Sequence, residues 1–221
     1  MELPNPPLML IADIGLAGDR IRSILEASLD AGCRWIMVRG KTAPASVFEE
    51  TVATALKLSS KYGAYVYVNG HPELVPKMGA HGLHLPWGWS IHRSREAVGT
   101  GIPIGISTHS LEEAVKAYME GADYITLSPI YDSISKQGYR QALGLHELKR
   151  VAETVKIPVI ALGGICPGRA QPCLSHGARG VAVMGGVILS TDPYQVMKML
   201  VEETAFKTLT GSARKVTTSK A

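Results

Sequence analysis

The chain has 221 residues, a hydrophobic share of 46%, a charged share of 19% and a formal net charge of +4 at pH 7. This balance argues against a disordered chain, a collagen-like repeat or a strongly basic nucleic-acid arm. Three cysteines without a CxxC pair indicate neither a disulfide framework nor a zinc knuckle, so we expect a reducing cytoplasm. Asp13 interrupts the apolar run near the N-terminus, which argues against a signal peptide or membrane span.

One alternation repeats along the chain: a short apolar run, then a Gly, Asn or Ser, then an amphipathic stretch. The first unit reads LMLIADI followed by RIRSILEASLDAG, and we count eight such units. Apolar strands that alternate with helices predict a parallel sheet covered by helices, and eight units predict a (β/α)8 TIM barrel. An open doubly wound sheet is the alternative.

The chain contains no linker-like segment, so we expect residues 1–206 to form a single barrel domain. Residues 207–221 carry basic side chains and no acidic one, and they are expected to form a flexible tail. For this tail a solvated terminus is favoured over contact with nucleic acid or a membrane.

The active site of such a barrel lies at the carboxyl ends of its strands, so the residues at those ends are the candidates. The polar and cationic ones are Asp13, Arg39, Lys41, Asn69, His71, His84, Ser107, Thr108 and His109. Strands 7 and 8 end in the pairs Gly163–Gly164 and Gly185–Gly186. Glycine lets the backbone approach a ligand, so the two pairs predict a phosphate site there; tight turns are the alternative.

A loop with no helical or strand periodicity, SPIYDSISKQGY, follows strand 6 at residues 128–139. Ser133, Ser135 and Lys136 offer hydroxyl and ammonium donors that suit phosphate oxygens, and Gly138 would act as a hinge. A solvated connection is the alternative, although long loops in compact domains are often lids or binding segments.

The order of several motifs resembles that of a known family. These motifs are MVRGK, YVYVNG, GAHGLHL, IGISTHSLEEAVKAYMEGADYI, SPIYDSISKQG, IPVIALGGI and GVAVMGGVI. Together they resemble thiamine-phosphate synthase and its relative TenI, the thiazole tautomerase, from IADIG to MGGVI. The resemblance implies an enzyme of thiamine biosynthesis.

The resemblance also implies a role for each matching residue. The synthase joins hydroxymethylpyrimidine pyrophosphate to thiazole phosphate and releases pyrophosphate. The residues implied to contact the pyrimidine pyrophosphate are Arg39, Lys41, Asn69, Ser107 and Lys136. Those implied to hold the thiazole phosphate are Ser133, Ile134, Ser135, Gly164, Met184 and Gly185, and we assign Gly163 and Gly186 to the same site. Cations that face the leaving group would stabilise its developing charge, so Arg39 and Lys41 are catalytic candidates.

Three departures from the family pattern bear on the reaction. The two acids that hold Mg²⁺ in the synthase correspond here to Gly70 and to Gly88 or Trp89, and Met37 replaces a glutamine. We therefore expect no protein metal site, and Mg²⁺ would be needed only if the chain acts as a synthase. The histidine of the tautomerase corresponds to Ser128, so if the chain is a tautomerase its acid/base group must lie elsewhere.

Candidates for that group are His84, His109 and His71, because an imidazole titrates near neutral pH. A hydrogen-bonded structural histidine is the alternative for His84, and a helix-capping segment with Ser110 is the alternative for His109. Trp87 and Trp89 either stack on a heteroaromatic ring, which we favour, or pack a loop onto the barrel.

These observations favour a TenI-like or diverged family member that binds a thiazole phosphate. An active synthase and a non-catalytic phosphate-binding regulator are the alternatives. An enzyme is favoured because unpaired cations around a pocket are otherwise costly. The expected partners are the phosphorylated thiazole and, for a synthase, the pyrimidine pyrophosphate, with no nucleic acid or membrane. A homo-oligomer remains an open alternative.

Overall fold

The computed structural model of the chain describes residues 1–132 and 141–211, with side chains up to Ala205. Eight parallel strands close into a barrel in chain order, and β1 pairs with both β2 and β8. The strands are β1 (Leu8–Asp13), β2 (Trp35–Arg39), β3 (Tyr65–Asn69), β4 (Gly82–Leu85), β5 (Ile104–Thr108), β6 (Tyr124–Leu127), β7 (Val159–Leu162) and β8 (Gly180–Val183). The barrel prediction is thus confirmed, and the open-sheet alternative is excluded.

Helices surround the barrel and connect its strands. The α-helices are α1 (Ile14–Ala17), α2 (Ile21–Asp30), α3 (Ala45–Ser59), α4 (Leu74–Met78), α5 (Ile91–Val98), α6 (Leu111–Met119), α7 (Gly144–Thr154), α8 (Ala170–Ser175), α9 (Gly185–Ile188) and α10 (Pro193–Gly211), with 3-10 turns at Gly18–Arg20 and Ser60–Tyr62. As the sequence predicts, Ser110 caps α6 by accepting the Glu113 N–H. Helix α10 continues past residue 206, the expected domain boundary, to Gly211.

Along the described part of the chain, no helix combines the length and the apolar character that a membrane crossing requires. Cys33, Cys166 and Cys173 are all free thiols. The tail from residue 212 onward lies outside the described residues.

The core has two parts, one on each side of the strands. The larger part packs the helices against the outside of the barrel. Three aromatic rings pack together in the interior: Trp35 contacts Tyr67 and Tyr124 edge-on, with ring centroids 5.4 Å apart in both pairs. These rings fit because Gly82 and Gly105 have no side chain, and a Cβ on either would overlap a tyrosine ring. The aromatic interior leaves the carboxyl ends of the strands as the open face.

Candidate functional site

A pocket of about 720 Å³ opens at the carboxyl ends of the strands, the usual position of the active site in such barrels. The residues singled out from the sequence that line it are Arg39, Lys41, Asn69, His84, Ser107, His109, Gly163, Gly164, Met184, Gly185 and Gly186. The predicted phosphate contacts Ser133, Ile134, Ser135 and Lys136, and the Gly138 hinge, lie outside the described residues. Residues from distant parts of the sequence therefore meet in one pocket.

Arg39 is held by Asp13 where β1 and β2 end side by side. The two residues are register partners, and their side chains form an ion pair with exposed fractions of 17% for Arg39 and 11% for Asp13. Asp13 also accepts the Leu16 N–H at 3.0 Å and so caps α1. Burial lowers the pKa of Arg39. The prediction of unpaired cations is thus wrong for Arg39, because Asp13 neutralises it. Lys41 is exposed at the rim of the pocket.

His84 is buried, with an exposed fraction of 1%, and both its ring nitrogens meet hydroxyl groups. Nδ1 lies 3.0 Å from the Tyr124 hydroxyl, and Nε2 lies 3.0 Å from Ser107 Oγ and 3.4 Å from Thr126 Oγ1. Burial, together with the nearby Arg39 charge, lowers the pKa of His84 to about 3, so its imidazole is neutral at pH 7. These contacts favour a structural role in which His84 orients Ser107.

His109 follows β5 and is half-buried at the pocket wall. Its Nδ1 lies 2.8 Å from the Ser128 carbonyl oxygen and 3.3 Å from Ser128 Oγ. Its backbone N–H donates to Glu113 Oε2 at 2.7 Å, which fixes the start of α6. Because a carbonyl oxygen only accepts hydrogen bonds, Nδ1 donates in this contact, and in the neutral imidazole Nε2 is then the acceptor nitrogen. The imidazole thus lies beside Ser128, just after the end of β6.

The Gly163–Gly164 pair is packed against protein backbone. Both residues have positive φ angles, and a Cβ on Gly164 would lie 2.5 Å from the Asp132 carbonyl oxygen. A Cβ on Gly163 would lie 2.7 Å from Pro129 Cα. The absence of side chains at Gly163 and Gly164 therefore leaves room for the segment after β6. The sequence did not suggest this explanation for the glycine pair. The Gly185–Gly186 pair opens α9, so its amides belong to a first helical turn, where N–H groups lack helical partners.

The positions that the resemblance assigns to Mg²⁺-binding acids carry no carboxylate in this chain. Gly70 and Gly88 have no side chain to offer, and Trp89 is 46% exposed. Among the described lining residues the one carboxylate is Asp132, which follows β6 and packs against Gly164 in the turn after β7. Nor do the described residues contain a cluster of three or more His, Cys, Asp or Glu side chains suited to a metal ion. We therefore derive no step that uses Mg²⁺.

Three of the charged or hydroxyl-bearing lining residues were not singled out from the sequence: Asp132, Arg169 and Ser190. Asp132 and Arg169 lie in loops after strands 6 and 7, where the loop position alone would have made them candidates. Trp87 also lines the pocket, with the Lys116 ammonium 5.7 Å from its ring centre. Trp89 is not among the lining residues, so a ring-stacking role now applies only to Trp87.

The fold and the pocket define a (β/α)8-barrel protein with its candidate site at the carboxyl ends of the strands. The family profile described as thiamine monophosphate synthase matches residues 8–187. The thiamine-phosphate synthase of Pyrococcus furiosus is 33% identical over 208 residues, which cover 92% of this chain and 99% of that protein. The chain therefore belongs to the thiamine monophosphate synthase family, which acts in thiamine biosynthesis.

Two further comparisons agree with this membership. The thiamine-phosphate synthase of Caldicellulosiruptor saccharolyticus is 32% identical over 178 residues, which cover 80% of each chain. The solved structure of thiamine phosphate pyrophosphorylase from Pyrococcus furiosus superimposes with a TM-score of 0.81. That comparison covers 90% of this chain and 96% of the other, at 29% identity.

Proposed function

We propose that this chain is a TenI-like member of its family, which binds a thiazole phosphate and moves a proton on it. The observation that carries this proposal is the contact between His109 Nδ1 and the Ser128 carbonyl oxygen at 2.8 Å. Ser128 stands where the resemblance places the tautomerase histidine. His109 reaches the same place from the neighbouring strand, so the pocket keeps an imidazole at that point.

His109 is suited to acid/base work by the way in which it is held. Its Nδ1–H is engaged by Ser128, so Nε2 is left to remove a proton from the ligand and return it at a second position. Such a transfer is balanced within the ligand and the imidazole and needs no other reactant. His84 is the weaker candidate because its low pKa and two occupied nitrogens oppose proton uptake.

The phosphate of the ligand would lie between β7 and β8. In this proposal the amides of Gly185 and Gly186, two lining residues that open α9, would donate to the phosphate oxygens. Asp132, the last described residue before the serine-rich segment, lines the pocket, and its carbonyl oxygen packs against Gly164. We propose that Ser133, Ile134, Ser135 and Lys136 then contact the phosphate, as the resemblance implies.

An active synthase remains the second candidate because one specific observation favours it. Arg39, Lys41, Asn69 and Ser107 line the wall at which the pyrimidine pyrophosphate would bind, and a volume of about 720 Å³ is ample for a ligand larger than one ring. The chemistry of the available side chains weighs against this candidate, since Gly70, Gly88 and Trp89 supply no oxygen ligand for Mg²⁺. A cytoplasmic location and a purely regulatory binder also remain predictions.

The test is the His109→Asn variant, assayed with the thiazole phosphate isomer as substrate. We expect kcat to fall by at least about 100-fold, the usual contribution of general acid/base catalysis, while Kd changes by less than about threefold. His176→Asn is the matched control, because His176 Nδ1 also contacts a carbonyl oxygen, that of Pro172 at 2.8 Å, on α8. Unchanged turnover in His109→Asn would reject His109 as the acid/base group.

A further inference from the structure

Arg169 lies at the pocket wall between the loops that follow β6 and β7. One of its amino groups, Nη1, donates to the Gly164 carbonyl oxygen at 2.9 Å. Its guanidinium carbon lies 4.8 Å from the centre of the Tyr131 ring. Arg169 therefore touches both loops and lines the same pocket as the two glycine pairs.

The charge of Arg169 has no acidic partner among the ion pairs that the described residues form. This distinguishes it from Arg39, the other lining arginine, which Asp13 neutralises. A guanidinium carries five N–H donors in a planar fork, and the contact with Gly164 uses one Nη group. The rest of the fork is available to an anion in the pocket.

The surroundings of Arg169 hold the guanidinium in place before any ligand binds. Stacking on Tyr131 and donation to Gly164 restrict its rotamers, so less entropy is lost when an anion binds. A planar, fixed guanidinium is suited to bidentate contact with a phosphate. Gly163 and Gly164 let the loop after β6 pack against the turn after β7. The same turn supplies the Gly164 carbonyl oxygen that accepts from Arg169.

We propose that Arg169 is a ligand-binding residue that selects the phosphorylated form of the ligand. This inference rests on the proposed function, because it takes the ligand to be a phosphate ester. Arg169 supplies a positive charge beside Gly164, in the pocket that Gly185 and Gly186 also line. It belongs to the described part of the chain, so this charge does not depend on the serine-rich segment.

The test compares Arg169→Gln with wild type by calorimetric titration of thiazole phosphate, the unphosphorylated thiazole alcohol and inorganic phosphate. We expect thiazole phosphate to bind about 10- to 100-fold more weakly to the variant, the usual value of a charge-assisted hydrogen bond. The affinity for the thiazole alcohol should change by less than about threefold. Arg169→Lys keeps the charge without the planar fork, so its affinity for thiazole phosphate should lie between those of wild type and Arg169→Gln.

Arg179→Gln is the matched control, because it removes the same charge from the residue just before β8, at the opposite end of the barrel. Equal weakening of phosphate and alcohol in Arg169→Gln, with a lowered Tm, would mean that Arg169 only ties the two loops together. Unchanged affinity for all three ligands would also overturn the inference.

The two proposals fail in different ways. If wild type does not bind thiazole phosphate but binds inorganic phosphate through Arg169, the proposed function is rejected and the anion-binding role of Arg169 is supported. If wild type binds neither, both are rejected.

Discussion

Single residues decide which groups in this pocket are charged. His84 is neutral because it is buried and lies near Arg39, although its position at a strand end makes it a candidate acid/base group. Asp13 is engaged by Arg39 and by the first turn of α1. His109 alone among the three candidate histidines combines exposure to the pocket with one fixed ring nitrogen.

Burial of neutral His84 predicts that stability depends on pH. The pKa of His84 is about 3 in the folded chain against an ordinary 6.5, so between these values the unfolded chain binds more protons. The free energy of unfolding should therefore fall as pH is lowered from 6.5 towards 3, by at most about 1.4 kcal/mol per pH unit for this one proton. Urea unfolding from pH 7 to pH 5 measures the slope.

The variant that tests this dependence is His84→Gln, which cannot take up the proton and should show a shallower slope. His92→Gln on α5 is the control, since the His92 side chain is 84% exposed and should leave the slope as it is. Equal slopes in wild type and His84→Gln would show that other groups cause the pH dependence.

The Asp13–Arg39 pair predicts a large effect from a small change. Asp13→Asn keeps an oxygen that can cap α1 but removes the charge that neutralises Arg39, so the guanidinium is left largely buried without a counter-ion. We expect a loss of about 3 kcal/mol in the free energy of unfolding, measured in urea at pH 7.

Glu26→Gln is the control for this variant, because it breaks the exposed Arg22–Glu26 pair on α2 and should cost less than about 1 kcal/mol. Similar small losses in both variants would contradict the importance that we assign to the buried pair.

Among the elements, β4 and β5 show how glycine sets the shape of the barrel interior. Gly82 and Gly105 lie on these strands opposite Tyr67 and Tyr124, whose rings occupy the space that a side chain would fill. The sequence predicts that both glycines lie on strands, but it does not show which aromatic ring packs in the space beside each of them. That information depends on the register between neighbouring strands.

Gly105→Ala should therefore destabilise the chain by about 1 to 3 kcal/mol, because its methyl group would overlap the Tyr124 ring. Adding Tyr124→Leu should recover part of this loss, so that the two substitutions are non-additive in thermal or urea unfolding. Gly15→Ala is the control, since its Cβ would make an ordinary 3.5 Å contact with Asp13 Oδ1. Strict additivity of the Gly105 and Tyr124 substitutions would refute this account.

For the whole molecule, the alternation of strands and helices is sufficient to predict the closed barrel, because the pattern repeats with local regularity. It also predicts that Arg39, Asn69, Ser107 and His109 line one pocket, since parallel strands bring their carboxyl ends together. What the sequence does not give are contacts between strands and loops, such as Asp13 with Arg39 or Asp132 with Gly164. These contacts depend on three-dimensional register, so the sequence does not show that Arg39 is neutralised. The loop position of Arg169 made it a candidate, but its contacts with Gly164 and Tyr131 could not be predicted.

The proposed function is proton transfer on a thiazole phosphate, without the joining of two substrates. One NMR experiment tests it: wild-type protein in D₂O is followed with thiazole phosphate and hydroxymethylpyrimidine pyrophosphate, once with Mg²⁺ and once without it. We predict incorporation of solvent deuterium into the thiazole at a rate that removal of Mg²⁺ does not change, without accumulation of thiamine phosphate. Formation of thiamine phosphate that depends on Mg²⁺, with no deuterium entering the thiazole, would contradict the account and identify the chain as a synthase.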